Sequence, residues 1–212
     1  MAFRHPISRL PGALALAAWG ALALPFPAGA QVPGWSAMDG HWALTGGVIS
    51  QQEEDPLHLD GFYATPAHVL QKEGVSGKDC VLEAEMGTAP RSDHVYGWNA
   101  VGFAFGIQDA RNFYRVHFFP GYPGGELRFE KVVDGLTEIT QAAYADFTPS
   151  PGEFYTLRLD IQGPALTARL RNGAQGELTL TYTDPAFSGG GVGLSNDAGP
   201  GFFRKVRLCE QP

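Results

Sequence analysis

The sequence predicts an all-β fold, an antiparallel sandwich of jelly-roll type, and three observations predict it. Beyond residue 40 the chain is a succession of short runs in which apolar and polar residues alternate, the period of a half-buried strand. The 28 glycines and 16 prolines, with Asp and Asn, fall mostly between those runs and punctuate them as turns. Helical spacing is nearly absent; the best candidate is residues 66–73, at most about two turns. About eleven strands result, and a single open sheet of that size would leave one apolar face wet, so two stacked sheets are required.

The elements are these, in chain order. His41–Leu44 leads through the turn signal Gly46-Gly47 to Val48–Ser50, and residues 61–65 form a short run. In residues 81–86, Leu82, Ala84 and Met86 alternate with Glu83 and Glu85. Val101, Phe103, Phe105 and Ile107 share one side of the next run, and the other side carries Gly102, Ala104 and Gly106, which have almost no side chain. Residues 113–119 are a strand, and residues 127–133 run to Asp134-Gly135, a hairpin signal. Residues 155–161 and 166–170 alternate cleanly, Asn172-Gly173 turns the chain, and residues 178–182, 192–194 and 203–209 complete the set. No internal repeat, low-complexity tract or interdomain linker is visible, so residues 31–212 read as one domain.

The first thirty residues read differently. Arg4 and Arg9 give a positive start, residues 13–24 are apolar, Pro25 and Pro27 interrupt, and Ala28-Gly29-Ala30 supplies small residues. That is the pattern of a cleaved secretory signal, with Gln31 as the new N-terminus and a periplasmic or secreted destination. Its apolar run is short for a membrane span, and no later segment is apolar enough for one. Residues 1–30 hold two arginines and no acidic residue, so their removal takes the formal charge from −7 to −9. An acidic surface argues against nucleic acid and suits neutral polymers or bound cations. Cys80 and Cys209 are the two cysteines. In an exported chain such a pair is read first as a disulfide, the alternative being two buried thiols. A bridge would close most of the domain into one loop, worth roughly 4–5 kcal/mol in the chain-entropy picture.

Several segments, in this order, resemble the concanavalin A-like lectin/glucanase superfamily. They are Trp35 with Gly40-His41-Trp42 and Gly47-Val48-Ile49, then Val101-Gly102-Phe103-Ala104-Phe105 with Asp109 and Asn112–Val116, and Tyr155–Leu159. Asp184–Phe187, Gly190–Leu194 and Phe203–Leu208 form the closing segment. The resemblance spans essentially all of residues 31–212 and implies a jelly roll whose concave sheet or edge loops commonly bind sugar. It also implies that the last strand lies antiparallel to residues 81–86, with Cys80 and Cys209 at the same end. If Leu82 and Leu208 both face the core, the two cysteines have opposite parity, so their bridge requires a bulge or a frayed strand end.

Hydrolases of this superfamily carry two carboxylates on one strand as Glu-x-Asp-x-x-Glu, because glycoside cleavage needs an acid and a nucleophile or base. This sequence has no such motif. Glu83 and Glu85 read as a solvated strand face. Gly97-Trp98-Asn99 resembles a segment of a relative that acts on keto-sugars, but the residues after Asn99 depart from that relative's pattern. No Gly-x-Ser-x-Gly elbow, zinc-ligand spacing or phosphate-cradling loop is present.

Alternation nevertheless selects one polar face. Arg115, His117, Arg128 and Glu130 fall on the side opposite Tyr114, Val116, Leu127 and Phe129, and Tyr96, Trp98, Asn99 and Tyr122 lie on adjoining loops. Flat aromatic rings stack on pyranose C–H faces and planar polar groups bridge vicinal hydroxyls, so these eight residues are the expected ligand-binding set. The bland alternative is an ordinary cross-strand Arg115–Glu130 ion pair. The sequence calls for no cofactor; if calcium binds, its loop oxygens would come from Asp109, Asp134, Asn196 and Asp197. The expected function is an exported, non-catalytic, lectin-like domain. The alternatives are a glycoside-active enzyme using Glu130, His117 and Arg115, and an envelope interaction module.

Overall fold

A computed structural model describes residues 32–54, 68–90, 92, 99–122, 124–147, 149–150, 152–173 and 175–209. The expected signal segment, the run at residues 61–65, and Tyr96 and Trp98 lie outside the described residues. Among the described residues there are fourteen strands: β1 Trp35–Ala37, β2 Trp42–Thr45, β3 Val48–Gln51, β4 His68–Ser76, β5 Cys80–Thr88, β6 Ala100–Asp109 and β7 Asn112–Phe119, followed by β8 Glu126–Val133, β9 Leu136–Tyr144, β10 Tyr155–Gln162, β11 Ala165–Arg171, β12 Glu177–Thr183, β13 Gly191–Asp197 and β14 Gly201–Leu208. They form two seven-stranded antiparallel sheets, ordered β1-β4-β13-β6-β7-β8-β9 and β12-β11-β10-β5-β14-β3-β2.

Two expectations need correction. Of the expected helix at residues 66–73, residues 66 and 67 lie outside the described residues and residues 68–73 belong to β4, which is hydrogen-bonded on both sides, to β1 and β13. Val69 and Leu70 are consecutive and both buried, so the alternation that marks a strand is missing there. The strand count exceeds eleven partly because β9 is an edge strand, exposed along most of its length, and its polarity does not alternate.

The inner faces meet in one core. Val101, Phe103 and Phe105 of β6 and Leu127 and Phe129 of β8 lie in the same buried cluster as Leu82, Ala84 and Met86 of β5 and Leu157 and Leu159 of β10. Each fully buried Leu or Phe contributes about 1.5–3 kcal/mol relative to exposure. On one side the sandwich is shut by β9 against β12. There Lys131 reaches Asp184 at 2.6 Å, and its ammonium lies between the rings of Tyr114 and Phe187, 5.7 and 5.6 Å from their centres. On the other side β1 and β4 stand apart from β2, β3 and β14 and leave a groove.

Cys80 and Cys209 form a disulfide, with Cα atoms 4.9 Å apart. The parity difficulty is resolved at the strand end. Leu82 pairs with Leu208 as required. Cys209 then leaves β14 in the left-handed region, at φ 51°, while its amide still donates to the Val81 carbonyl. The bridge closes a sequence separation of 129, worth about 5 kcal/mol by loop entropy.

Candidate functional site

Arg115, His117, Arg128 and Glu130 share the outer face of the first sheet, as alternation implies. Two cross-strand rows place them. One runs Ser195, Gly102, His117, Arg128, Ala142; the next runs Gly193, Ala104, Arg115, Glu130, Ile139. Gly102 has no side chain for a steric reason: a Cβ there would sit 1.8 Å from the Val116 carbonyl oxygen. The centre of the face is therefore a floor of small residues, and the charged side chains of β7 and β8 border it.

The face is not open. Arg115, His117, Arg128 and Glu130 are only 2, 0, 4 and 3 % exposed. They form one network with Glu126 and Asp197. Arg115 donates through Nε to Glu130 and through Nη2 to Thr137 Oγ1 at 3.3 Å, and lies 3.7 Å from Asp197. His117 Nδ1 is 3.3 Å from Glu130, and its Nε2 is 2.8 Å from Ser195 Oγ. Arg128 spans two carboxylates, Glu126 at 3.3 Å and Glu130 at 3.6 Å, with its guanidinium 3.8 Å above the Phe119 ring.

Burial alone would push the Glu130 carboxyl up, but Arg115, His117 and Arg128 outweigh it and hold it at about 2. Burial pushes His117 down, with help from the Arg115 charge and against the pull of Glu130. At neutral pH Glu130 is therefore an anion and His117 a neutral ring.

The remaining expected residues separate into two groups. Tyr122 is half-buried and stacks on the exposed Tyr144, 6.5 Å between ring centres. Tyr144 pairs with Glu126, so this aromatic pair stands at the rim of the charged face, beside Ile139 and Ala142 of β9. Sequence reading missed Tyr144, because β9 does not alternate. Asn99 is not at a ligand surface: it is 1 % exposed and donates to the Ala89 carbonyl at 2.7 Å, fastening the entry to β6.

The four calcium candidates do not form one site. Asp109, at the end of β6, accepts from the Arg111 amide and the Asn112 side chain, and the Arg111 guanidinium donates to the Asp134 carbonyl. Asn196 and Asp197 pair with Val101 and Ala100 at the opposite end of β6, and Asn196 donates to the Ala100 carbonyl at 2.6 Å. Among the described residues no group of three His, Cys, Asp or Glu is arranged to hold a metal.

No protein-family model and no curated protein matches the chain by sequence. Solved structures do match in fold. The carbohydrate binding module CBM66 from Bacillus subtilis is similar over 84 % of this chain and 96 % of its own, at a TM-score of 0.65 and 18 % identity. A galectin-like protein of unknown function, also from Bacillus subtilis, is similar over 82 % and 88 %, at 0.57 and 9 %. A xylan β-1,4-xylosidase from Bacillus halodurans is similar over 89 % of this chain but 41 % of its own, at 0.54 and 11 %. What the strand order and these likenesses define is the fold: the chain is a jelly-roll sandwich of two antiparallel sheets, an architecture shared by a carbohydrate-binding module and a galectin-like protein. The likeness covers 96 % of the carbohydrate binding module's chain, 99 % of a putative glycosyl hydrolase from Parabacteroides distasonis at a TM-score of 0.52 and 12 % identity, and 41 % of the xylosidase.

Proposed function

We propose that this chain is an exported, non-catalytic domain that binds a neutral carbohydrate at the rim of the charged face. The observation that carries the reading is the Tyr122–Tyr144 stack standing beside the Glu126–Arg128 pair. Aromatic rings take the C–H face of a sugar, and the buried Glu126–Arg128 pair holds the strand beneath them in place. Arg115, His117 and Glu130 lie behind that rim and act by positioning it. The similarity to a carbohydrate-binding module supports the same ligand class.

A general-acid role for Glu130 is disfavoured on chemical grounds. A general acid must hold a proton near the working pH, and three cationic or donor groups keep this carboxyl ionised down to about pH 2. The formal charge of −7 favours a neutral polymer over an acidic one.

Affinity electrophoresis of the purified protein through gels containing neutral polysaccharides tests the reading. At least one polymer is expected to retard the protein, and Tyr144→Ala to abolish the retardation without release of reducing sugar by either form. Unchanged retardation of Tyr144→Ala would remove the rim from the site. No retardation by any polymer would turn the reading toward an envelope interaction module. N-terminal sequencing of the exported protein is expected to begin at Gln31.

A further inference from the structure

We infer that the groove on the open side of the sandwich is a second binding site, and that it takes a medium-chain aliphatic carboxylate. The groove encloses about 490 Å³, within the range of ligand sites. Trp35, Val75 and Lys72 form one wall; Leu44, Val206 and Leu208 form the other. It continues the core outward, since Trp35, Val75 and Val206 pack against the main buried cluster. Leu44 is 47 % exposed here, one of few large apolar side chains left in water among the described residues.

The chemistry of the lining selects the occupant. Among the described residues Lys72 is the one charged side chain lining the groove, in a chain whose formal charge is −7. Its ammonium rests 5.0 Å from the centre of the Trp35 ring and makes no ion pair with any described residue. Gly34 leaves room for it: at φ 74°, a Cβ there would lie 3.2 Å from the Lys72 nitrogen. Apart from that ammonium and the Trp35 indole N–H the lining side chains are apolar, which suits a ligand with an alkyl body and one anionic end better than one with a hydroxyl at every carbon. An alkyl chain lies along Leu44, Val75, Val206 and Leu208, and an anionic head at the Lys72 end completes the match. The sugar-binding rim lies across the first sheet on β9, at the edge opposite β1, so the two sites are independent.

Calorimetric titration of the purified protein with decanoate, decanol and decyltrimethylammonium, all below micellar concentration, tests this. Decanoate is expected to bind saturably and most tightly, decanol more weakly and the cation least. Lys72→Gln, at a half-exposed position, is expected to weaken decanoate about fivefold, the reach of one partly exposed ion pair, and to leave decanol unchanged. Val206→Glu is expected to abolish decanoate binding while the circular dichroism spectrum stays native. Absence of saturable decanoate binding to the wild-type protein, or equal affinity in Lys72→Gln, would overturn the inference. Polysaccharide retardation measured on the same variants is expected to be unaffected, which separates this site from the carbohydrate reading.

Discussion

The two outer faces of the sandwich carry the same kinds of residue and obey different energetics. On the second sheet Glu83 meets Arg158 and Arg207, Glu85 meets Arg204 and Lys205, and Asp160 meets Arg158 and Arg169. Those basic side chains are 38–72 % exposed, so water screens each pair, and such pairs contribute about 0–1 kcal/mol. On the first sheet the Arg115–Glu130–Arg128 network is nearly dry. There the attraction is stronger, but so is the cost of dehydration. Such a network adds little net stability when whole and is expensive to break. Alternation of charge along a strand therefore says that a face is polar; the cover over that face decides whether its charges can be changed.

The largest expected effect comes from breaking the dry network. Glu130→Ala leaves Arg115 and Arg128 without their shared carboxylate and is expected to cost about 3–5 kcal/mol in urea denaturation. Arg115→Met combined with Glu130→Leu is expected to recover much of that loss. A Glu130→Ala cost no larger than that of Glu85→Ala would erase the distinction between the faces.

Acid is expected to act in two stages. His117 has its folded pKa below the ordinary imidazole value. The unfolded chain therefore takes up that proton first, and stability begins to fall as pH drops below about 6.5. Glu130 and Asp184, both held at about 2 when folded, contribute stability that is complete above about pH 4.5. It drains away as pH falls from there toward 2. Stability measured across this range should show both stages, and His117→Gln should remove the upper one alone. The smallest effect is expected on the wet face: Arg204→Ala should cost less than about 1 kcal/mol, and the cost should shrink in high salt.

Much of this architecture was legible in the sequence for a simple reason. Where one face of a strand is buried and the other is wet, burial writes itself as alternation, as in β10, and the pairing of Arg115 with Glu130 followed from it. Strand β4 was illegible because Val69 and Leu70 are buried on opposite faces, and β9 because most of it is wet on both. Tyr144 was lost with β9. The dryness of the charged face is a tertiary property that no local pattern records. One clue passed unread: Lys131 occupies a core-facing position between Phe129 and Val133, and a lysine there needs a partner such as Asp184.

The disulfide gives the molecule a covalent shape of its own. Because it ties the start of β5 to the residue just past β14, every loop from β5 to β14 lies on a closed ring. A protease that cuts one of those loops opens the ring but releases nothing. The clipped chain keeps its mass on a non-reducing gel and falls into two pieces only when a thiol is added. A single cut within the ring is then damage without loss of parts.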